Sequence, residues 1–175
     1  MANDRILYDG EFLRLKQRAH WQFVERSNAR GAVVIVALTD HDELLLVEQP
    51  RLPVDGRVIE LPAGLVGDVL GEEDEALEIA AARELEEETG YRPADLEFLT
   101  TGPPSAGLAN EAVSFYRARG LTRIDGGGGD DSEQITPHVV PLADVEGWLV
   151  AREAEGIQVD PKIYAGLYFL NRERE

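Results

Sequence analysis

Residues 72–89 read EEDEALEIAAARELEEET and run on into Gly90 and Tyr91. Nine of the eighteen are acidic, and an acid-rich helix is ordinarily a solvated surface. The periodicity argues otherwise. At about 100° per residue, Leu77, Ala81, Glu84 and Glu88 fall on one narrow stripe, with Ala80 and Glu87 beside it. The carboxylates of Glu84, Glu87 and Glu88 thus share the face of the small and apolar residues, which is expected to pack inward. Such a gathering of carboxylates near a core is strongly unfavourable without balancing charge, and only Arg83 is close in sequence. Hard divalent cations resolve the conflict, because ions such as Mg²⁺ take carboxylate oxygens and commonly bridge to substrate phosphates. Glu84 and Glu88 are one helical turn apart, so both can reach one ion.

Working outward, the helix is expected to stop at Gly90. Upstream, Trp21–Arg26 alternates in part between apolar and polar residues, as a half-buried strand does. Residues 31–38 (GAVVIVAL) and 43–48 (ELLLVE) read as buried strands, and the polar linker 39–42 suggests that they form a hairpin. A further strand at 57–61 (RVIEL) is halted by Pro62-Ala63-Gly64. Downstream, short strands are expected at 96–100, 112–118 and 135–140. Two helices close the chain, one over about residues 142–155. The other has Asp160 as its cap and Pro161 in its first position, and continues through Ile163, Leu167 and Leu170. Strands and helices are mixed irregularly, which predicts an α+β domain with a mixed sheet over residues 31–175, preceded by an extended segment over 1–30. The one low-complexity stretch is Gly126-Gly127-Gly128-Gly129-Asp130-Asp131.

Composition narrows the function. The chain has 175 residues, 43% of them hydrophobic, enough for one domain with a proper core. No apolar run approaches the roughly 18 residues of a membrane helix, and residues 1–10 lack the apolar core of a secretory signal. Cysteine is absent, so thiolate metal sites and Cys nucleophiles are excluded. A cytoplasmic location is expected. The net charge of −17, from 34 acids against 17 bases, repels nucleic acid and anionic membranes, and neither is expected as a partner. A small anionic substrate is compatible with this surface if metal ions and a few placed arginines reverse the field locally. His20, His41 and His138 lack ligand spacing.

Arg83-Glu84-Leu85-Glu86-Glu87-Glu88-Thr89-Gly90-Tyr91 resembles the end of the Nudix box, R-E-(apolar)-x-E-E-x-G-(apolar), at every specified position. Glu75, with seven residues between it and Arg83, matches the box's earlier Glu. One position departs: the box has Gly six residues before that Glu, where this chain has Val69, so a lengthened loop is expected ahead of the helix. Either Glu72 or Glu75 then serves as the earlier acid. The resemblance implies a Nudix-type α/β/α sandwich and a metal-dependent pyrophosphohydrolase. Glu84 and Glu88 would be the principal ligands of Mg²⁺ or Mn²⁺, with the Ala63 carbonyl completing the site. Glu87 would bind a second ion or its water shell, and Arg83 would orient the glutamates through ion pairs.

Other stretches resemble the ADP-ribose pyrophosphatase branch of that family. They are Gln49-Pro50-Arg51 with Glu60-Leu61-Pro62-Ala63-Gly64, then the loop Ser105 to Glu111 with Ala106 where Pro is usual, and Val159-Asp160-Pro161-Lys162. This implies a nucleotide-sugar substrate such as ADP-ribose, cleaved to AMP and a sugar phosphate. The alternatives are another nucleotide substrate or a non-catalytic nucleotide-sugar sensor. Trp21 matches an aromatic that stacks on adenine. Arg26 and Arg51 match diphosphate-binding arginines, and Glu111 belongs to the substrate loop; guanidinium forks suit phosphate oxygens. N-terminal strands that complete a partner's site imply a homodimer. Glu133, after the glycine run, stands where the similar enzymes carry the general base, with Asp130 and Asp131 as rivals. Four glycines would permit that loop to close.

Overall fold

The structure, a computed structural model, describes residues 4–68, 71, 73–129 and 134–172. It opens with a three-stranded antiparallel sheet of β1 (Arg5–Asp9), β2 (Leu13–Arg18) and β3 (Trp21–Arg26). There follow β4 (Gly31–Ala37), β5 (Glu43–Arg51), β6 (Gly56–Glu60), β7 (Ala63–Val66) and the helix α1 (Leu77–Thr89). The chain continues through β8 (Tyr91–Arg92), β9 (Asp95–Gly102), β10 (Val113–Arg119), β11 (Thr122–Arg123) and β12 (Thr136–Pro141). It ends with α2 (Val145–Ala154), β13 (Gln158–Val159) and α3 (Lys162–Asn171).

Two four-stranded mixed sheets form the centre, in the orders β7-β4-β10-β9 and β12-β5-β6-β13. The parallel pairs are β10 with β4 and β13 with β6. Buried β-branched runs favour such two-sided burial, and their alternation sorts side chains to opposite faces. Val33, Ile35, Ala37 and Leu45 face one way and pack with Ala80, Ala81 and Leu85 of α1. Val34, Val36, Leu44 and Leu46 face the other and pack with Val145 and Leu149 of α2 and Ile163 and Leu170 of α3. The expected α/β/α arrangement follows from this division of successive residues between two cores. No helix among the described residues is long and apolar enough to cross a membrane.

Three expectations change. Residues 31–38 and 43–48 do not make a hairpin: β4 and β5 enter different sheets and meet only at the Leu38–Leu44 bridge. Each strand is hydrophobic on both faces, so each pairs with other strands and the turn merely passes the chain between sheets. The helix begins at Leu77 rather than at 72, where Ala76 O accepts the N–H groups of Ile79 and Ala80 at 3.0 Å each. Its C-terminus falls at Gly90 as expected, with φ 75°. The buried residues of α1 are Ala80, Ala81, Leu85, Glu88 and Thr89, while Leu77 is 36% exposed. Leu85 therefore takes the central core position that the stripe assigned to Leu77. At the third helix, Pro161 has helical angles and Asp160 Oδ1 accepts the Lys162 N–H at 2.7 Å, which is how a cap residue behaves.

Burial should separate two positions on the same helix. Leu85→Ala removes a side chain with 0% exposure and is expected to lower unfolding free energy by about 3 kcal/mol in urea titrations. Ile79→Ala, at a position 61% exposed, should change it by about 0.5 kcal/mol or less.

Candidate functional site

The residues Ala63 and Gly64 at the start of β7 run directly beneath the last two turns of α1. Glu88 Oε2 accepts the Ala63 N–H at 3.0 Å. A Cβ built on Gly64 would lie 1.8 Å from Glu84 Cδ and 2.1 and 2.3 Å from its two oxygens. The Glu84 carboxylate thus rests on bare backbone, in space that any other residue at 64 would fill. Proline at 62 halts the preceding strand, and glycine at 64 admits the carboxylate.

Arg83 organises the acids around this point. Its Nη1 donates to Glu84 Oε1 at 2.8 Å and to Glu87 Oε2 at 3.1 Å. Its Nε and Nη2 donate to the two oxygens of Glu75 at 3.1 and 3.2 Å. Glu75 is therefore the earlier acid in contact with the arginine. Burial pushes the Glu84 carboxyl up to about 7; Arg83 opposes the rise, and Glu87 and Asp68 add to it. A cation beside this carboxylate would offset the cost that burial imposes on its charge. The donors are carboxylate oxygens and a backbone strand, a set suited to a hard divalent ion. Among the described residues, no group of acids and histidines already encircles a single ion position. Arg83 draws Glu84 and Glu87 towards itself, and the Ala63 amide holds Glu88.

Glu84 and Glu88 line one side of a cleft of about 430 Å³, with Ala63 and Asp68 beside them. Arg26, Arg51 and Lys162 bring positive charge to the same cleft. Each cation is held by a carboxylate: Arg26 by Glu111, Arg51 Nε by Glu60 Oε2 at 2.8 Å, and Lys162 by Asp160. Burial pushes the Glu60 carboxyl up, against the pull of Arg51. A smaller depression of about 180 Å³ shares Arg26 and Glu111 with the main cleft. It shares Asn110 with a third depression, about 420 Å³, that contains Trp21, Phe23 and Ala106. The third depression lies against the N-terminal sheet. Trp21 is 54% exposed, and its Nε1 donates to Gly107 O at 3.4 Å.

Of the residues singled out by sequence, Ala63, Glu84, Glu88, Arg26, Arg51 and Glu111 come together in one cleft. Arg83 and Glu87 are joined to it by ion pairs. Trp21 lies outside this cleft, in the depression beside the N-terminal sheet. Glu133, Asp130, Asp131, Glu72 and Val69 lie outside the described residues. Glu60, Asp68 and Lys162 also line the cleft, although the sequence assigns them no role. Alternation along RVIEL could have placed Glu60 opposite Ile59. Lys162 carries no such signal. It reaches the cleft because β13 pairs with β6 and Asp160 N donates to Ile59 O at 2.9 Å.

Comparison with known proteins agrees with this geometry. The family model described as NUDIX domain matches residues 28–162. A methanol dehydrogenase activator of Bacillus methanolicus is 36% identical over 105 residues, covering 60% of this chain and 54% of that protein. An ADP-ribose pyrophosphatase of Bacillus subtilis (strain 168) is 38% identical over 95 residues, covering 54% of this chain and 49% of that protein. The chain thus spans about half the length of these relatives. A solved structure described as an ADP compounds hydrolase shares the fold, with a TM-score of 0.70 at 21% identity over 98% of this chain and 90% of that one. With a family model matching most of its length and the box glutamates gathered on one helix against Ala63 and Gly64, the chain belongs to the NUDIX domain family.

Proposed function

We propose that the chain is a metal-dependent Nudix pyrophosphohydrolase acting on ADP-ribose or another ADP-sugar, with AMP and a sugar phosphate as products. The observation that carries this reading is one cleft holding two box glutamates on one side and Arg26, Arg51 and Lys162 on the rest. Such a site accepts a diphosphate between cations and a carboxylate-bound ion. The fit to Mg²⁺, or to Mn²⁺ in its place, rests on the buried Glu84 carboxylate and its Gly64 cradle. When bound, a divalent ion would neutralise phosphate charge and make water more acidic. Glu84 and Glu88 would hold it, with the Ala63 carbonyl, and Glu87 would serve a second ion or the water shell. Arg83 keeps Glu84 and Glu87 in place from the side.

On the substrate side, Arg26 and Arg51 would donate to the diphosphate oxygens, each pre-set by its carboxylate, Glu111 or Glu60. Trp21 would offer its exposed indole face to the base. Glu133 would deprotonate the attacking water. The relative named an ADP-ribose pyrophosphatase supports the choice of substrate. Exposed Ile6, Tyr8, Phe12 and Leu13 on the N-terminal sheet support a homodimer in which this sheet meets a second copy.

The metal assignment is checked with Glu84→Gln and Glu88→Gln. Each should cut turnover of ADP-ribose with Mg²⁺ roughly a hundredfold or more while circular dichroism stays native. Near-normal turnover in either would sink it, and a panel of nucleotide sugars and dinucleoside polyphosphates, with products identified by mass, checks the substrate.

Binding and chemistry should separate at two further positions. Trp21→Ala is expected to raise KM about tenfold with little change in kcat, since stacking is similar in ground and transition states. Glu133→Gln should lower kcat by about 10²-fold or more with KM nearly unchanged. A Glu133→Gln enzyme of normal kcat rules out this base, and loss of kcat in Asp130 or Asp131 variants instead would move the role along the same loop.

For the assembly, light scattering at micromolar concentration should give twice the chain mass of 19.3 kDa. A fully active monomer would refute a site completed by the neighbour's N-terminal strands.

A further inference from the structure

The glycine run, which the sequence suggests as a hinge, is in large part docked on the metal-site helix. Gly128 N donates to Glu88 O at 2.9 Å and Gly129 N to Glu87 O at 3.0 Å. Helix C-termini leave such carbonyls without intrahelical partners, and here the last turn is capped from outside at Glu88, which lines the cleft, and at Glu87, which is paired with Arg83 beside it. The fit is backbone against backbone. A Cβ on Gly127 would meet Thr89 C at 2.4 Å, Glu88 O at 2.6 Å and Gly90 N at 2.6 Å. A Cβ on Gly90 would meet Asp125 O and Oδ1 at 2.6 Å and Gly127 N at 2.7 Å. Asp125 shapes the turn: its Oδ1 accepts the Gly127 N–H at 2.8 Å, and its exposed side chain buries nothing. Gly126 differs from its neighbours, because a Cβ there meets nothing within 4 Å.

We propose that Asp125, Gly127, Gly128 and Gly129 form a positioning clasp that sets the last turn of α1, and with it the carboxylates of Glu87 and Glu88, for divalent-cation binding. The proposal rests on the reading of the box glutamates as cation ligands. One hydrogen bond to each carbonyl restrains the orientation of that peptide unit. Glu88 is then held at two points, its carbonyl by Gly128 and its carboxylate by the Ala63 amide. Glu87 is likewise held at its carbonyl by Gly129, while Arg83 pairs with its carboxylate. At position 127 glycine is needed because no side chain fits between the two backbones there and φ is +62° besides, whereas Gly128 has room for a Cβ and is favoured by its φ of +120°. These are positioning residues: they touch neither substrate nor ion.

The test measures Mn²⁺ affinity directly, by titration calorimetry or by the spectroscopic signal of free Mn²⁺, alongside kcat and KM. Gly126→Ala should bind Mn²⁺ as the unaltered chain does. Gly127→Ala should weaken binding about tenfold or more, the scale on which residues that orient ligands act, with kcat recovering as Mn²⁺ is raised to saturation. Asp125→Ala should weaken it in the same direction, and Asp125→Asn, whose Oδ1 still accepts the Gly127 N–H, should restore it. That rescue is not expected of a merely stabilising turn, whose loss would lower melting temperature without moving metal affinity. If Gly127→Ala does not fold, the Asp125 pair decides. Folded Asp125→Ala with unaltered Mn²⁺ affinity, or Asp125→Asn as impaired as Asp125→Ala, overturns the clasp alone. An unaltered chain that binds no Mn²⁺ overturns the metal reading and the clasp with it.

Discussion

Arg83 donates to Glu75, Glu84 and Glu87 at distances between 2.8 and 3.2 Å, and the rest of the site hangs on this guanidinium. Buried carboxylates are unfavourable unless paired, and a helix that places several on one side cannot pack without such a partner. The planar fork of arginine, with donors pointing in several directions, can hold carboxylates on both flanks at once; a lysine could not do so with fixed geometry. Because Glu75 precedes the helix and Glu84 and Glu87 lie within it, the same side chain ties the incoming loop to α1.

Around this pairing the two-sided sheets do the remaining work of placement. Successive residues of β4 and β5 feed two separate cores, so α1 is pressed on one face and α2 and α3 on the other. The cleft opens where β7 meets the end of α1 and where β6 meets the start of α3. Its floor is backbone at Gly64, and its charged rim comes from side chains contributed by seven separate parts of the chain. Every cation on that rim is pre-paired, Arg26 with Glu111, Arg51 with Glu60 and Lys162 with Asp160. Pairing of this kind fixes the position of each cation in a protein whose net charge is −17.

Much of this was legible in the residues themselves. The apolar run of β4, the glycine stop at 90, the cap at Asp160 and the inward-facing Glu84 and Glu88 follow from local periodicity and propensity, which depend only on neighbours in sequence. The helix start, by contrast, was misplaced: residues 73 and 74 have acceptable helix propensity but no apolar side to bury, so the helix waits for Leu77. The hairpin between 31–38 and 43–48 was also misread, because a strand buried on both faces gives no sign of which partner it will take.

What the sequence by itself determined is the local arrangement: carboxylates one turn apart on one helix, an arginine beside them, and no cysteine. These are short-range properties, set by spacings of three to eight residues. Only the tertiary structure decided that Lys162 joins Arg26 and Arg51, that Gly64 seats the Glu84 carboxylate, and that Gly128 and Gly129 of the glycine run bond to the end of α1. Each of those depends on two backbones approaching from distant parts of the chain. Such approaches are fixed by sheet pairing and core packing, and these act through space rather than along the sequence.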